Sequence, residues 1–114
     1  MGSVRPRRKI LLVDGEERSR KAFAEQLRGD YELLGAADGG EALRLLTDYQ
    51  QELSGVLLDA AVPAVNAQEL LCAMRADKQL RNMPVLVVSE DEGAALQEAV
   101  FGLGASDFIS RAYD

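Results

Sequence analysis

The sequence predicts an α/β fold in which a parallel sheet is covered by helices. Five short apolar runs alternate with four amphipathic stretches, the runs start 22, 24, 29 and 22 residues apart, and four of them lead directly into a polar residue. Each interval is long enough for a helical crossover, which parallel pairing needs and a tight hairpin does not. Runs that are apolar throughout, without strict alternation, mark strands buried on both faces.

The first run is Lys9 to Asp14, and the first helix is expected from about Glu16 to Arg28. Acids open that helix, Phe23 and Leu27 lie one turn apart, and Gly29 follows its end; this is the charge and glycine placement that suits helix termini. A second strand covers Tyr31 to Ala36, and a second helix, about Gly40 to Gln50, directs Ala42, Leu45, Leu46 and Tyr49 inward. The third strand is read from Gly55 to Asp59, and the third helix, about Ala67 to Ala76, carries Leu70, Leu71, Ala73 and Met74. Pro84 to Ser89 forms the fourth strand, and the fourth helix, about Glu92 to Gly102, spaces Leu96, Ala99, Val100 and Leu103 at helical intervals. A fifth strand, Ser106 to Ser110, is followed by only four residues. The alternation therefore lacks a fifth helix.

Composition narrows the chemistry. A chain of 114 residues that is 47% hydrophobic supports one domain, not two. It has no histidine, so Ser-His and Cys-His pairs and His-ligated metals are excluded on this chain. The single cysteine, Cys72, permits no internal disulfide and no thiolate zinc site. Set within an apolar helix, it reads as a small core residue, and a reducing cytoplasm is the expected location. Net charge is −6, with Arg5, Arg7, Arg8 and Lys9 crowded at the start; residues 1–8 read as a solvated basic tail. The acidic remainder opposes binding of nucleic acid or anionic membrane, and no stretch is long and apolar enough to span a bilayer.

In an open parallel sheet, ligands bind beyond the carboxyl ends of the strands, where the strand order reverses. The polar residues there are Asp14, Asp59, Ser89 and Arg111. Any one of them could simply cap a strand as it leaves the core. Two acids, a hydroxyl and a cation together describe a phosphoryl site.

The motifs Ile10-Leu-Leu-Val-Asp14, Val56-Leu-Leu-Asp59 with Pro63 four residues on, Pro84-Val-Leu-Val-Val-Ser89, and Gly104-Ala-Ser-Asp-Phe-Ile-Ser-Arg-Ala-Tyr-Asp114 resemble the receiver domain of bacterial two-component response regulators. Ala37-Asp-Gly39 and Glu41-Ala-Leu43 add to the match, which runs from about Lys9 to the end. The resemblance implies a doubly wound, flavodoxin-like sheet of order 2-1-3-4-5 over residues 9–114. The absent fifth helix then reads as a receiver cut short, the N-terminal part of a larger regulator. It further implies that Asp59 accepts a phosphoryl group from a phosphohistidine, and that Asp14, Asp59 and the backbone carbonyl of Ala61 hold Mg²⁺. Ser89 corresponds to the switch hydroxyl, Phe108 to the aromatic that turns inward with it, and Arg111 to a lysine that contacts the phosphoryl group. The implied partners are a histidine kinase or phosphotransfer protein and a C-terminal output domain, with homodimer formation left open.

Several positions depart from the family pattern. Gly15 replaces the second metal-binding acid, so Mg²⁺ affinity is expected to fall. Glu16 either reaches inward as a substitute or stays at the solvent side as a helix-start acid. Arg111 replaces a compact ammonium with a planar guanidinium, which either clamps phosphate or pairs permanently with Asp59 or Asp14. Ala112 replaces a proline preceded by a cis bond, and a trans bond is expected here because cis before alanine costs about 2.5 to 4 kcal/mol. Glu90 stands where the family places a small residue, and Asn66 can cap the third helix.

Two functions follow: a phosphorylated signalling receiver that switches through Ser89 and Phe108, or a phosphorylation-independent pseudo-receiver that serves as an interaction module. Neither is a stand-alone enzyme. A phosphohydrolase would need an acid where Ala61 stands, and the acidic turn Asp14-Gly-Glu-Glu17 would repel a flavin phosphate.

Overall fold

The computed structural model describes residues 8–27, 29–61, 67–89 and 94–110. Five strands and four helices alternate as β1 (Arg8–Val13), α1 (Glu17–Leu27), β2 (Tyr31–Ala36), α2 (Gly39–Tyr49), β3 (Leu53–Asp59), α3 (Ala67–Ala76), β4 (Val85–Ser89), α4 (Ala94–Gly102) and β5 (Asp107–Ser110). All four strand pairings are parallel and the order is β2-β1-β3-β4-β5, as the family resemblance implies.

Handedness distributes the helices. The chain steps outward from β1 to β2, then reverses direction and steps from β2 past β1 to β3, β4 and β5. Right-handed crossovers place α1 on one face and α2, α3 and α4 on the other. Strand residues alternate between these faces. Leu11, Val13, Ala36, Val56, Leu58, Val85 and Val87 join Ala42, Leu46, Ala67, Leu70, Leu71, Met74 and Val100 from α2, α3 and α4 in one buried cluster. No residue of α1 belongs to that cluster, and none of its described residues is fully buried. Leu57, Leu86, Val88 and Ile109 instead face α1 across a groove of about 320 Å³ that Ser19, Ala22, Phe23 and Gln26 line from the helix side.

The element bounds differ from the sequence reading where backbone chemistry intervenes. β3 begins at Leu53, two residues before Gly55, because a register shift against β1 between Lys9 and Ile10 inserts an extra residue. That bulge breaks the alternation, so Leu53 reaches the same core as Val56 and Leu58. Pro84 has no N–H for the ladder and stays outside β4, although its carbonyl accepts from Val56 N–H at 3.0 Å. β1 begins at Arg8 and leaves Asp14 just beyond its end. Asp38 caps α2, its Oδ1 accepting from Glu41 N–H at 2.8 Å, while Glu41 Oε1 accepts from Ala37 N–H at 2.9 Å. The Asp-x-x-Glu spacing is that of a capping box. Gly29, expected to follow the first helix, does so at φ 104°, a left-handed geometry that glycine adopts without strain.

Cys72 corrects the sequence reading. It is exposed, because Leu70, Leu71 and Met74 take the inward face of α3. Position 72 falls about 100° from Leu71 around the helix, so an apolar neighbourhood in sequence did not place it in the core.

Candidate functional site

The reversal of strand order lies between β1 and β3, and each of these strands ends in an acid. Asp14 follows Val13 and is 1% exposed; Asp59 is the last residue of β3 and is half-buried. The two line one small cavity with Leu12, Phe23, Leu57, Leu58 and Val88. Each carboxylate is oriented by an amide two residues ahead. Glu16 N–H donates to Asp14 Oδ1 at 2.9 Å, and Ala61 N–H donates to Asp59 Oδ1 at 2.8 Å. The backbone of Asp14 is held as well, its N–H donating to Ala36 carbonyl at 3.0 Å.

Ser89 closes β4 next to β3 and is 6% exposed. The register places it opposite Ser110, and Val87 opposite Phe108. Ser89 and the ring of Phe108 therefore belong to the same face of adjacent strands. Phe108 is half-buried and packs against the main core. Asp59 is joined to β4 through Ala60, whose N–H donates to Val88 carbonyl at 2.9 Å.

Asp14, Asp59, Ala61 and Ser89 are thus brought to one rim, with Phe108 behind it. Arg111, Glu90, Asn66, Pro63 and Ala112 lie outside the described residues. Glu16 is exposed and contributes its backbone N–H to Asp14. Two contributions escaped the sequence reading. One is the Ala61 amide. The other is Arg20, whose Nη1 donates to the Asp14 carbonyl at 2.6 Å. An arginine six residues after the acid, on the inner side of a short amphipathic helix, was the available signal.

The donor set can be tested against a divalent cation. Two carboxylates on one cavity, one of them almost wholly buried, repel each other unless a cation lies between them. Their oxygens are hard donors of the kind Mg²⁺ prefers, and Mg²⁺ commonly takes only one or two carboxylates and completes its shell with water and phosphate oxygens. The set therefore fits. It is also lean, since Gly15 has no carboxylate and no group of three ligating His, Cys, Asp or Glu side chains occurs among the described residues.

A doubly wound α/β domain with paired acids at its switch point and a buried hydroxyl on the neighbouring strand has the architecture of a receiver-type signalling domain. The sequence profile of the response regulator receiver domain matches residues 10–114, and the chain belongs to that family. It is 28% identical over 107 residues to a chemotaxis protein CheY homolog of Campylobacter jejuni, covering 92% of this chain and 82% of that protein. It is 29% identical over 102 residues to the two-component response regulator-like APRR7 of Arabidopsis thaliana, covering 89% of this chain but 14% of the relative, about a seventh of its length. Among solved structures, the CheX-CheY-BeF3-Mg²⁺ complex from Borrelia burgdorferi superposes with a TM-score of 0.82 at 25% identity, covering 93% of this chain and 79% of that one. Among the described residues, no helix is long and apolar enough to cross a membrane.

Proposed function

We propose that the chain is a phosphorelay receiver that accepts a phosphoryl group on Asp59 from a histidine kinase or phosphotransfer protein. The observation that carries this reading is the shared cavity of Asp14 and Asp59 at the strand-order reversal. A carboxylate oxygen of Asp59 attacks the phosphorus of a phosphoramidate. The P–N bond breaks, the departing imidazole nitrogen keeps the electron pair and takes up a proton, and Asp59 is left as an acyl phosphate. Asp14, Asp59 and the Ala61 carbonyl would hold Mg²⁺, which when bound would supply charge neutralisation for the phosphoryl oxygens. The Ala61 N–H donates to Asp59 Oδ1 at 2.8 Å and orients the carboxylate for that attack. Ser89 supplies a hydroxyl from β4, and Phe108 transmits its displacement to the core face. These 114 residues hold no histidine, so the phosphoryl donor lies outside them, and on this reading the domain is a signalling element, not a stand-alone enzyme.

The test is incubation with a small acyl phosphate and Mg²⁺, followed by intact mass measurement. Wild type should gain one phosphoryl group and Asp59→Asn none. An unlabelled wild type, under conditions that label an ordinary receiver, defeats the proposal. The second reading, a pseudo-receiver that binds its partner without phosphorylation, is favoured by Gly15 and by the exposed position of Glu16, which leave two acids where three would bind a cation more firmly. A Mg²⁺ titration separates the two readings, because saturable binding that Asp14→Asn abolishes belongs to phosphotransfer alone.

A further inference from the structure

We propose that Arg20 is a positioning residue for Asp14, and that with Gly35 it forms a clamp which compensates for the glycine in the metal-binding turn. The inference rests on the receiver reading of Asp14.

Gly15 weakens the turn twice. It removes a carboxylate, and it introduces the residue with the widest backbone freedom directly after the acid that remains. Three contacts act against that freedom. β2 fixes the Asp14 amide, through the bond to Ala36 carbonyl at 3.0 Å. The start of α1 fixes the carboxylate, through Glu16 N–H at 2.9 Å. Arg20 fixes the third point, the carbonyl of the peptide that joins Asp14 to Gly15, at 2.6 Å from Nη1. A guanidinium bond to a carbonyl is charge-assisted and short, and it holds the peptide whose rotation would swing the acid.

Arg20 can reach that carbonyl because nothing stands in its way on β2. A Cβ built on Gly35 would lie 3.3 Å from Arg20 Cδ and 3.6 Å from Nε. The side chain thus crosses the bare backbone of Gly35 on its way from α1 to the turn. Its own amide is anchored by Glu16 carbonyl at 3.1 Å, so one residue ties the first turn of the helix to the end of β1. The guanidinium is not a ligand and acts through the main chain. Loss of an outer-shell partner typically weakens metal binding by about 10- to 100-fold. A partner acting through a single peptide belongs at the lower end, about tenfold.

The experiment measures Mn²⁺ affinity by electron paramagnetic resonance, and amide exchange by mass spectrometry, on wild type, Arg20→Met, Arg20→Lys and Gly35→Ala. Methionine keeps the apolar stem over Gly35 and deletes the donors; lysine keeps one ammonium. The alanine leaves Arg20 intact and crowds its stem, whose Cδ would lie 3.3 Å from the new Cβ. Arg20→Met should weaken Mn²⁺ binding about tenfold and speed exchange of the Gly15–Glu16 amides while α2 and β4 stay protected. Lysine should restore part of both, and Gly35→Ala, which only crowds the stem, should weaken binding less than Arg20→Met, without loss of thermal stability. Unchanged affinity together with unchanged Gly15–Glu16 exchange in Arg20→Met overturns the proposal. So does faster exchange along the whole of α1 at unchanged affinity, since that is a structural role only. A wild type that binds no Mn²⁺ defeats the metal reading of Asp14 instead, and the exchange data still decide whether Arg20 positions the acid.

Discussion

The two faces of the sheet are built from similar strands and end up differently covered. On one face α2, α3 and α4 close over Leu11, Val13, Val56, Leu58, Val85 and Val87, and the largest side chains there are wholly buried. On the other, among the described residues, α1 is the only helix, and Leu57, Leu86 and Ile109 line an open groove beside it. Ile109 is 46% exposed. Both faces follow from one chain reversal, because three crossovers in one direction and one in the other cannot cover a five-stranded sheet evenly. The difference teaches where stability and function are separated. The closed face carries the packing, and the acids sit at the top of the sheet, at the seam where the crossover direction changes.

Truncation on each face puts numbers on that contrast. Leu58 is 0% exposed and lies in the middle of the closed face, so Leu58→Ala should cost about 2–5 kcal/mol, the transfer term plus an unrelaxed cavity. Leu86, on the adjacent strand, is half-buried in the groove. Leu86→Ala should cost about 1 kcal/mol, since much of its surface is already in water and no closed cavity forms. Urea denaturation of the two variants measures both, and equal losses would show that the groove is filled in solution.

Ile109 extends the comparison to the margin of the open face. Ile109→Thr keeps the β-branch that suits a strand and removes an exposed methyl-rich surface, so stability should stay within about 0.5 kcal/mol of wild type. Binding of the dye ANS, which reports accessible apolar surface, should fall. A substantial stability loss would mean that β5 is packed on that side.

The same contrast explains how much was legible in the sequence. Continuous apolar strands, acids at their ends and helix-length intervals gave the parallel sheet, and the resemblance supplied its order. The closed face was readable because Leu46, Leu70, Leu71, Met74 and Val100 recur at helical spacing and all reach the core. The α1 side was less so. Phe23 and Leu27 lie one turn apart, yet both are only half-buried, because spacing reports which residues share a face and not whether anything covers it. Cys72 failed for the complementary reason: it sits among apolar residues but on the outward side of α3. The bulge at the start of β3 hid Leu53 by breaking the alternation. At the site, Asp14, Asp59 and Ser89 were found from their places at strand ends. The Ala61 amide was not, since a main-chain donor leaves no pattern in side-chain chemistry, and Arg20 showed only as an arginine on the inner side of the first helix, with nothing in the sequence to mark the main-chain carbonyl it reaches.

The smallest expected effect lies at the opposite end of the closed face. Lys9 shares a row of alternating β1 residues with Leu11 and Val13, and its Nζ lies 3.0 Å from Glu52 Oε1. The hydrogen bond to Glu52 raises the Lys9 pKa above its ordinary 10.5; burial opposes the shift, and the charges of Glu52, Glu32 and Tyr49 add to it. A lysine pKa that is raised on folding means the folded state holds the proton more tightly. The resulting stabilisation is complete below 10.5 and fades as pH rises through the raised value. Glu52→Gln should therefore lower the urea midpoint slightly at pH 8, and the gap to wild type should close as the solution is taken above 10.5. Added salt should narrow the gap at pH 8, because Glu52 is 52% exposed and solvent ions screen such a pair. A gap that widens with rising pH would reverse the sign and show that burial of the ammonium, not its bond to Glu52, governs this edge of the sheet.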